Sequence, residues 1–160
     1  MVIEVDIGRQ TLTLFDNGHR TLGEYRVSTA VNGPGELTNS ECTPRGRHTI
    51  RARIGAGCPI NTVFCGRRPT GEVYTPALRR KYPERDWILT RILWLSGLEP
   101  GVNRLGKVDT MRRYIYIHGA PDEDHMGTPS SHGCIKMRNA DIVTLFDLVA
   151  VGTQVLIREC

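Results

Sequence analysis

Residues 114–139 have the sequence YIYIHGAPDEDHMGTPSSHGCIKMRN, and they hold most of the potentially reactive side chains of the chain. Three of the five histidines and one of the five cysteines fall here. The run Tyr114–Ile117 is apolar and rich in aromatic and β-branched residues, which predicts a buried strand. His118 and Gly119 follow it directly, and a polar connection leads to Ser131-His132-Gly133-Cys134. The stretch therefore predicts a rigid strand with a histidine at its end, followed by a turn that carries a cysteine.

This pattern suits nucleophilic catalysis by Cys134. A thiol attacks as the thiolate, so a catalytic cysteine needs a base or a positive environment close by. His118, at the end of a buried strand, is rigidly placed for that role, and His132 lies two residues from the sulfur. Gly133 leaves room for an approaching carbonyl and frees the backbone N–H groups of the turn to face a developing oxyanion.

Two other interpretations of the cluster stay open at this point. Cys134 could be a small buried hydrophobe, with the histidines as polar surface or turn residues. Zinc binding is the second, because His118, His125, His132 and Cys134 are all acceptable ligands. The paired short spacings of structural zinc sites are absent, however, and no other cysteine is near in sequence.

The run His118-Gly119, a gap, then SHGCIKM (131–137) with Asn139 following, resembles the active-site motif of the L,D-transpeptidase catalytic domain family, also called the YkuD or ErfK/YbiS family. The resemblance extends to the strand-rich N-terminus and the closing segment 140–157, whereas residues 55–110 are the least typical. It implies one catalytic domain over 1–160. The implied fold is mainly β, a β-sandwich of mixed sheets with one or two short helices and a flap over the active site.

The resemblance also implies the roles of individual residues. Cys134 matches the nucleophile, His118 the base, and Gly119 the residue whose backbone carbonyl orients the imidazole. His132 matches a histidine near substrate and oxyanion, while the N–H groups of Gly133 and Cys134 match the oxyanion hole. The expected substrate-binding residues are Ser131, Lys136 and Arg138.

One position departs from the family pattern. Lys136 stands where many members have arginine, so either its ammonium supplies the same charge with looser geometry or Arg138 takes the role. The departure affects how the substrate is positioned and leaves the cysteine chemistry unchanged.

The implied activity is cleavage of the bond between an L-centre, usually of meso-diaminopimelate, and D-alanine in peptidoglycan stem tetrapeptides, without a cofactor or metal. Hydrolysis of the acyl-enzyme would make an L,D-carboxypeptidase acting on muropeptides in peptidoglycan recycling. Transfer to an amine would make an L,D-transpeptidase that forms 3-3 cross-links in the cell envelope. A non-catalytic module that binds peptidoglycan fragments is the alternative of another class, although such a module has no need of a thiol.

Composition and the N-terminus suggest where the chain works. With 160 residues, of which 39% are hydrophobic and 24% charged, the chain is an ordinary globular domain, and no apolar run is long enough to span a membrane. Its alternating N-terminus carries Glu4 and Asp6 where an export signal would be basic and then apolar. Its five cysteines are too few and too irregular for a disulfide framework. We therefore expect a cytoplasmic protein and favour hydrolysis, or a periplasmic protein if an export signal has been removed. No oligomeric state is predicted.

Positive charge is concentrated in the middle of the chain. Residues 45–91 hold eleven Arg or Lys against three acidic residues, and arginine outnumbers lysine eighteen to three overall. The arginine fork suits carboxylates and phosphates. This segment lacks aromatic residues at regular spacing among its basic residues, which stacking on bases would require. Nucleic acid is therefore not the expected partner. A basic face that binds small multi-carboxylate ligands and a solvated loop face with scattered ion pairs both remain open.

The remaining elements follow from local patterns. Alternation in residues 2–27 predicts a hairpin-rich opening, and residues 30–46 predict a loop. Residues 55–85 predict an insertion or flap that includes a short helix, Pro76–Tyr82, with Thr75 as N-cap. Further expected elements are strands at 47–54, 87–95 and 153–157, and a helix over 142–149 capped by Asn139 or Asp141.

Overall fold

Ten strands and two short α-helices make up the computed structural model, which describes residues 1–160. A single turn of 3-10 helix lies at Gly106–Val108. The strands are β1 (Val2–Asp6), β2 (Thr11–Phe15), β3 (Thr21–Ser28), β4 (Gly46–Ile54), β5 (Thr62–Cys65), β6 (Arg68–Val73), β7 (Ile88–Gly97), β8 (Tyr116–Ala120), β9 (Ile135–Arg138) and β10 (Gln154–Arg158). The helices are α1 (Pro76–Lys81) and α2 (Asn139–Leu148).

The strands form one mixed sheet that closes on itself. Their order is β4-β10-β1-β2-β3-β9-β8-β7, and β7 pairs again with β4. The β1–β10 and β8–β9 pairs are parallel, and the others are antiparallel. The β5–β6 hairpin branches from β7 and lies outside this ring. The predicted mainly-β fold of mixed sheets with two short helices is confirmed, in the form of a barrel-like sandwich.

Period-two alternation places the core inside the ring. Ile3, Val5, Leu12 and Leu14 are fully buried, while their neighbours along β1 and β2 are less so. The apolar stripe of α2 (Ile142, Leu145, Phe146 and Val149) joins the same core cluster, as its spacing predicts. At about 25 cal/mol per Å² of buried apolar surface, this cluster is the main source of stability.

The region 55–87 covers the outer face of β7 and β8. Along β7, Leu93 and Leu95 face the core, so Ile92 faces outward. There Ile92 packs with Tyr116 of β8 and with Phe64 of β5, forming a small second cluster. The predicted flap is therefore an ordered hairpin followed by α1, which Thr75 caps by accepting a hydrogen bond from the Leu78 N–H.

Two local predictions are wrong. The strand predicted at 114–117 begins at Tyr116, because Tyr114 has a φ of +57° and cannot continue a strand there. The helix α2 begins at Asn139 rather than after it, and its N-cap position, Arg138, makes no side-chain capping bond. The amide of Asn139 is used in another network, described below. Neither helix has the length and apolar character required to cross a bilayer.

Candidate active site

The parallel pairing of β8 and β9 brings the two halves of the motif together. Ile117 pairs with Ile135 and His118 with Lys136. Both isoleucines face the core, so His118 and Cys134, which directly precedes β9, lie on the opposite face of neighbouring strands. The pairing of the two strands therefore brings these residues, which are far apart in sequence, to nearby positions in the sheet.

The Cys134 thiol lies at a cavity of about 500 Å³ between the β5–β6 hairpin and β8. Its Sγ accepts a hydrogen bond from the Tyr116 N–H at 3.3 Å and donates to the Tyr114 carbonyl at 3.4 Å. Burial raises the pKa of this thiol to about 12, and the negative charge of Asp86 acts in the same direction. The thiol is therefore protonated in the resting protein and needs a base in order to react.

His118 is fully buried and has one unused ring nitrogen. Its Nδ1 lies 2.7 Å from the Gly119 carbonyl oxygen. A carbonyl can only accept, so Nδ1 carries the proton and the lone pair is on Nε2, which has no hydrogen-bond partner. Burial lowers the pKa of His118, which keeps the imidazole neutral. The contact expected from the resemblance between the imidazole and the Gly119 carbonyl is present.

A polar network centred on Asn139 packs against Gly119. A Cβ at Gly119 would lie 2.4 Å from Asn139 Oδ1 and 2.7 Å from the Leu89 carbonyl oxygen, so only glycine fits. Asn139 accepts from Thr90 Oγ1 at 2.6 Å and donates to Asn61 and Asp122. These contacts tie the start of α2 to the flap and to β7, directly behind the histidine.

The turn at 131–134 leaves the backbone N–H of Cys134 free. The Ser131 hydroxyl donates to the Cys134 carbonyl at 2.5 Å and accepts from the Gly133 N–H at 3.1 Å. Thr43 Oγ1 donates to the Gly133 carbonyl, and Gly133 has a φ of +130° that favours glycine. The Gly133 N–H is thus already occupied, whereas the Cys134 N–H makes no hydrogen bond within the protein.

The other predicted site residues differ in their placement. Ser131 is buried and shapes the turn, so it does not line the cavity as a substrate-binding residue would. His132 is exposed at the cavity, with Nδ1 3.8 Å from Glu41. Lys136 donates to the Ser130 carbonyl at 3.2 Å and lies in an adjacent depression. Arg138 is exposed at the far end of β9 and, like Lys136, does not line the Cys134 cavity.

Three charged residues line the cavity, Arg67, Asp86 and Arg113, of which only Arg67 belongs to the arginines expected from the sequence to bind carboxylates. Arg113 is part-buried and donates to the carbonyls of Gly35 and Cys42. The arginine-rich composition of the flap was a signal for Arg67, but no local pattern pointed to Asp86 or Arg113. The middle arginines do not form one unpaired basic face, because those at positions 45, 79 and 85 are paired with carboxylates. No three His, Cys, Asp or Glu side chains lie close enough together to hold a metal ion.

The sequence also matches a known protein family. The model of the L,D-transpeptidase catalytic domain (YkuD) matches residues 1–157. The chain belongs to this family. The family is one of cysteine enzymes that act on peptidoglycan.

Relatives support the assignment over most of the chain. The probable L,D-transpeptidase YbiS of Escherichia coli K12 is 30% identical over 122 residues, which cover 70% of this chain and 39% of YbiS. The chain thus spans well under half the length of this curated relative.

Solved structures of L,D-transpeptidases share the fold. The enzyme from Mycobacterium smegmatis superposes with a TM-score of 0.61 at 20% identity, covering 98% of this chain and 58% of that one. L,D-transpeptidase 3 from Mycobacterium tuberculosis, in complex with a faropenem-derived adduct, gives 0.56 at 17% identity, covering 99% and 60%. At these identities the likeness concerns the fold alone.

Proposed function

We propose that this domain is an L,D-carboxypeptidase that removes D-alanine from peptidoglycan stem tetrapeptides through a cysteine acyl-enzyme. The observation that carries the proposal is the buried His118, whose Nδ1 is held by the Gly119 carbonyl while Nε2 is left unpaired on the strand beside Cys134. A base in a fixed tautomer, on the strand that pairs with the segment following the nucleophile, suits nucleophilic catalysis. Nε2 makes no hydrogen bond to Sγ in this structure, so the two atoms come within hydrogen-bond reach only during the reaction.

Each step uses groups of this chain. As Sγ of Cys134 bonds to the carbonyl carbon of the L-centre, its proton passes to Nε2 of His118. The Cys134 N–H donates to the oxyanion. The bond to D-alanine then breaks, and the imidazolium returns the proton to the departing amine. Water attacks the thioester, giving its proton to Nε2, and the released thiolate is reprotonated.

The size of the cavities favours water as the acceptor. The cavity at Cys134 holds about 500 Å³, within the about 300–1,000 Å³ range of small-ligand sites. The adjoining depressions hold about 280 and 230 Å³, which is small for a second stem peptide. Muropeptides or other soluble fragments fit this arrangement, and the cytoplasmic location expected from the sequence stays a prediction.

Transpeptidation is the second candidate, and one observation favours it. The 280 Å³ depression shares Arg113, Tyr114, Ile115 and His132 with the Cys134 cavity, so an amine bound there would reach the same thioester. The choice between the two functions depends on the acceptor and leaves the acylation step unchanged.

Product analysis tests the proposal. A disaccharide tetrapeptide incubated with the protein should yield tripeptide and D-alanine, with or without an amine acceptor. Intact mass after incubation with a carbapenem should show an adduct on the wild type and on Cys65→Ala, an exposed-thiol control, and none on Cys134→Ala. A 3-3 linked dimer as the main product would establish transpeptidation instead. Absence of both adduct and turnover would indicate a binding module.

A further inference from the structure

Besides Arg113, which donates to backbone carbonyls, the cavity at Cys134 carries two opposite charges that do not neutralise each other. Arg67 and Asp86 both line it. The ion pairs of the surrounding flap join Arg79 and Arg85 to other carboxylates, and Arg67 and Asp86 take part in none within 4.0 Å. A cation and an anion that face one cavity but stay apart leave room for a ligand bearing both charges.

Arg67 is held in place without a carboxylate. It follows Gly66 in the turn of the β5–β6 hairpin, and its guanidinium carbon lies 4.7 Å from the centre of the Trp94 ring and 4.8 Å from that of Tyr114. Its Nη1 donates to the Tyr116 hydroxyl at 3.1 Å. Aromatic faces stabilise the charge and fix the plane of the fork, yet four of its five N–H donors make no hydrogen bond. Such a group is ready for a carboxylate.

Asp86 is an unpaired carboxylate at the same cavity. It lies two residues before β7, lines both the Cys134 cavity and the depression of Lys136, and accepts no hydrogen bond. Its negative charge raises the pKa of both Cys134 and His118, so it disfavours the thiolate and favours the protonated imidazole. As an unpaired carboxylate at the cavity, Asp86 can bind a cation of the substrate.

We propose that Arg67 and Asp86 recognise the two ends of a zwitterionic α-amino-acid head group on the substrate, Arg67 its carboxylate and Asp86 its ammonium. The inference rests on the proposed function. In a stem tetrapeptide whose third residue is diaminopimelate, the free D-centre is such a head group. Lysine at that place offers only the ammonium, and amidated diaminopimelate offers the ammonium with a neutral amide. The two residues therefore select free-acid diaminopimelate.

Three tetrapeptides test the proposal: one with diaminopimelate, one with its amidated form and one with lysine. The wild type should favour the free acid in kcat/KM by roughly 10- to 100-fold, the effect of one charge-assisted pair. Arg67→Gln should abolish this preference, mainly through KM, and Arg67→Lys should restore part of it. Arg68→Gln, an exposed neighbour that lines no part of this cavity, should keep it in full.

Asp86→Asn provides an independent readout. Its KM should rise for all three peptides, because each carries the ammonium. An unchanged KM for all three peptides in this variant would remove Asp86 from the head-group site.

Two results would overturn the inference while leaving the proposed function intact. One is an unchanged preference in Arg67→Gln. The other is an equal loss for all three peptides in that variant, which would mean that Arg67 reads the terminal carboxylate of D-alanine. If the wild type releases D-alanine from none of the peptides and forms no carbapenem adduct, the proposed function fails and the inference falls with it.

Discussion

Replacing His118 with alanine should show that Cys134 reacts as a thiol that gives up its proton during attack. Burial raises the pKa of Cys134 to about 12, so the thiol is protonated at neutral pH. The neutral imidazole of His118 must accept the proton as the Sγ–carbon bond forms.

The size of the effect follows from this proton transfer. Loss of a positioned general base costs about 10²- to 10⁴-fold, so His118→Ala should lower the acylation rate at pH 7 by that factor. The wild-type rate should be flat above the pKa of His118 and decline below it, and burial places that pKa below the ordinary value of 6.5. In His118→Ala the rate should instead rise about tenfold per pH unit over a range below the thiol pKa, because only the thiolate then reacts.

The assay is the rate of acylation by a carbapenem, followed by mass spectrometry at several pH values between about 5 and 9. The control is His125→Ala, which removes an exposed histidine of the same loop and should match the wild type throughout. If His118→Ala acylates within tenfold of the wild type at pH 7, or keeps a flat pH profile, the thiol is activated by another group. The assignment of His118 as the base would then be wrong.

Three other changes have defined outcomes. His132→Ala should alter acylation far less than His118→Ala, because this exposed side chain contacts neither the thiol nor the buried imidazole by a hydrogen bond; an equal loss would reverse the two roles. Asn139→Ala should lower the free energy of unfolding in urea by about 1–3 kcal/mol, since it leaves the buried Thr90 hydroxyl without its acceptor; a change below about 0.5 kcal/mol would contradict this network. The pKa of the buried His48 is lowered from 6.5 to about 4, so the unfolded chain binds a proton that the folded chain does not. The free energy of unfolding should therefore fall by about 3 kcal/mol as the pH drops from 6.5 to 4, and His48→Gln should reduce that fall by the same amount.

Much of the fold could be predicted from local patterns. Alternation predicts β1 and β2, and the Thr75-Pro76 pair predicts the start of α1, because each depends on residues within a few positions of one another. The motif around His118 and Cys134 likewise predicts a cysteine beside a histidine. The resemblance also implied the contact of the imidazole with the Gly119 carbonyl, which the structure contains.

Only the tertiary structure decided the contacts between distant segments. Asn139 has the ordinary sequence signal of a helix cap, yet its amide joins Thr90, Asn61 and Asp122, which come from three other parts of the chain. A residue's spacing within a strand determines which face it occupies, but the segment that covers that face depends on how the sheet closes. The pairing of β7 with both β5 and β8 places the flap beside β8 and brings Arg67 and Asp86 to the cavity of the thiol. Such long-range pairings depend on the packing energy of the whole domain, which no local pattern contains.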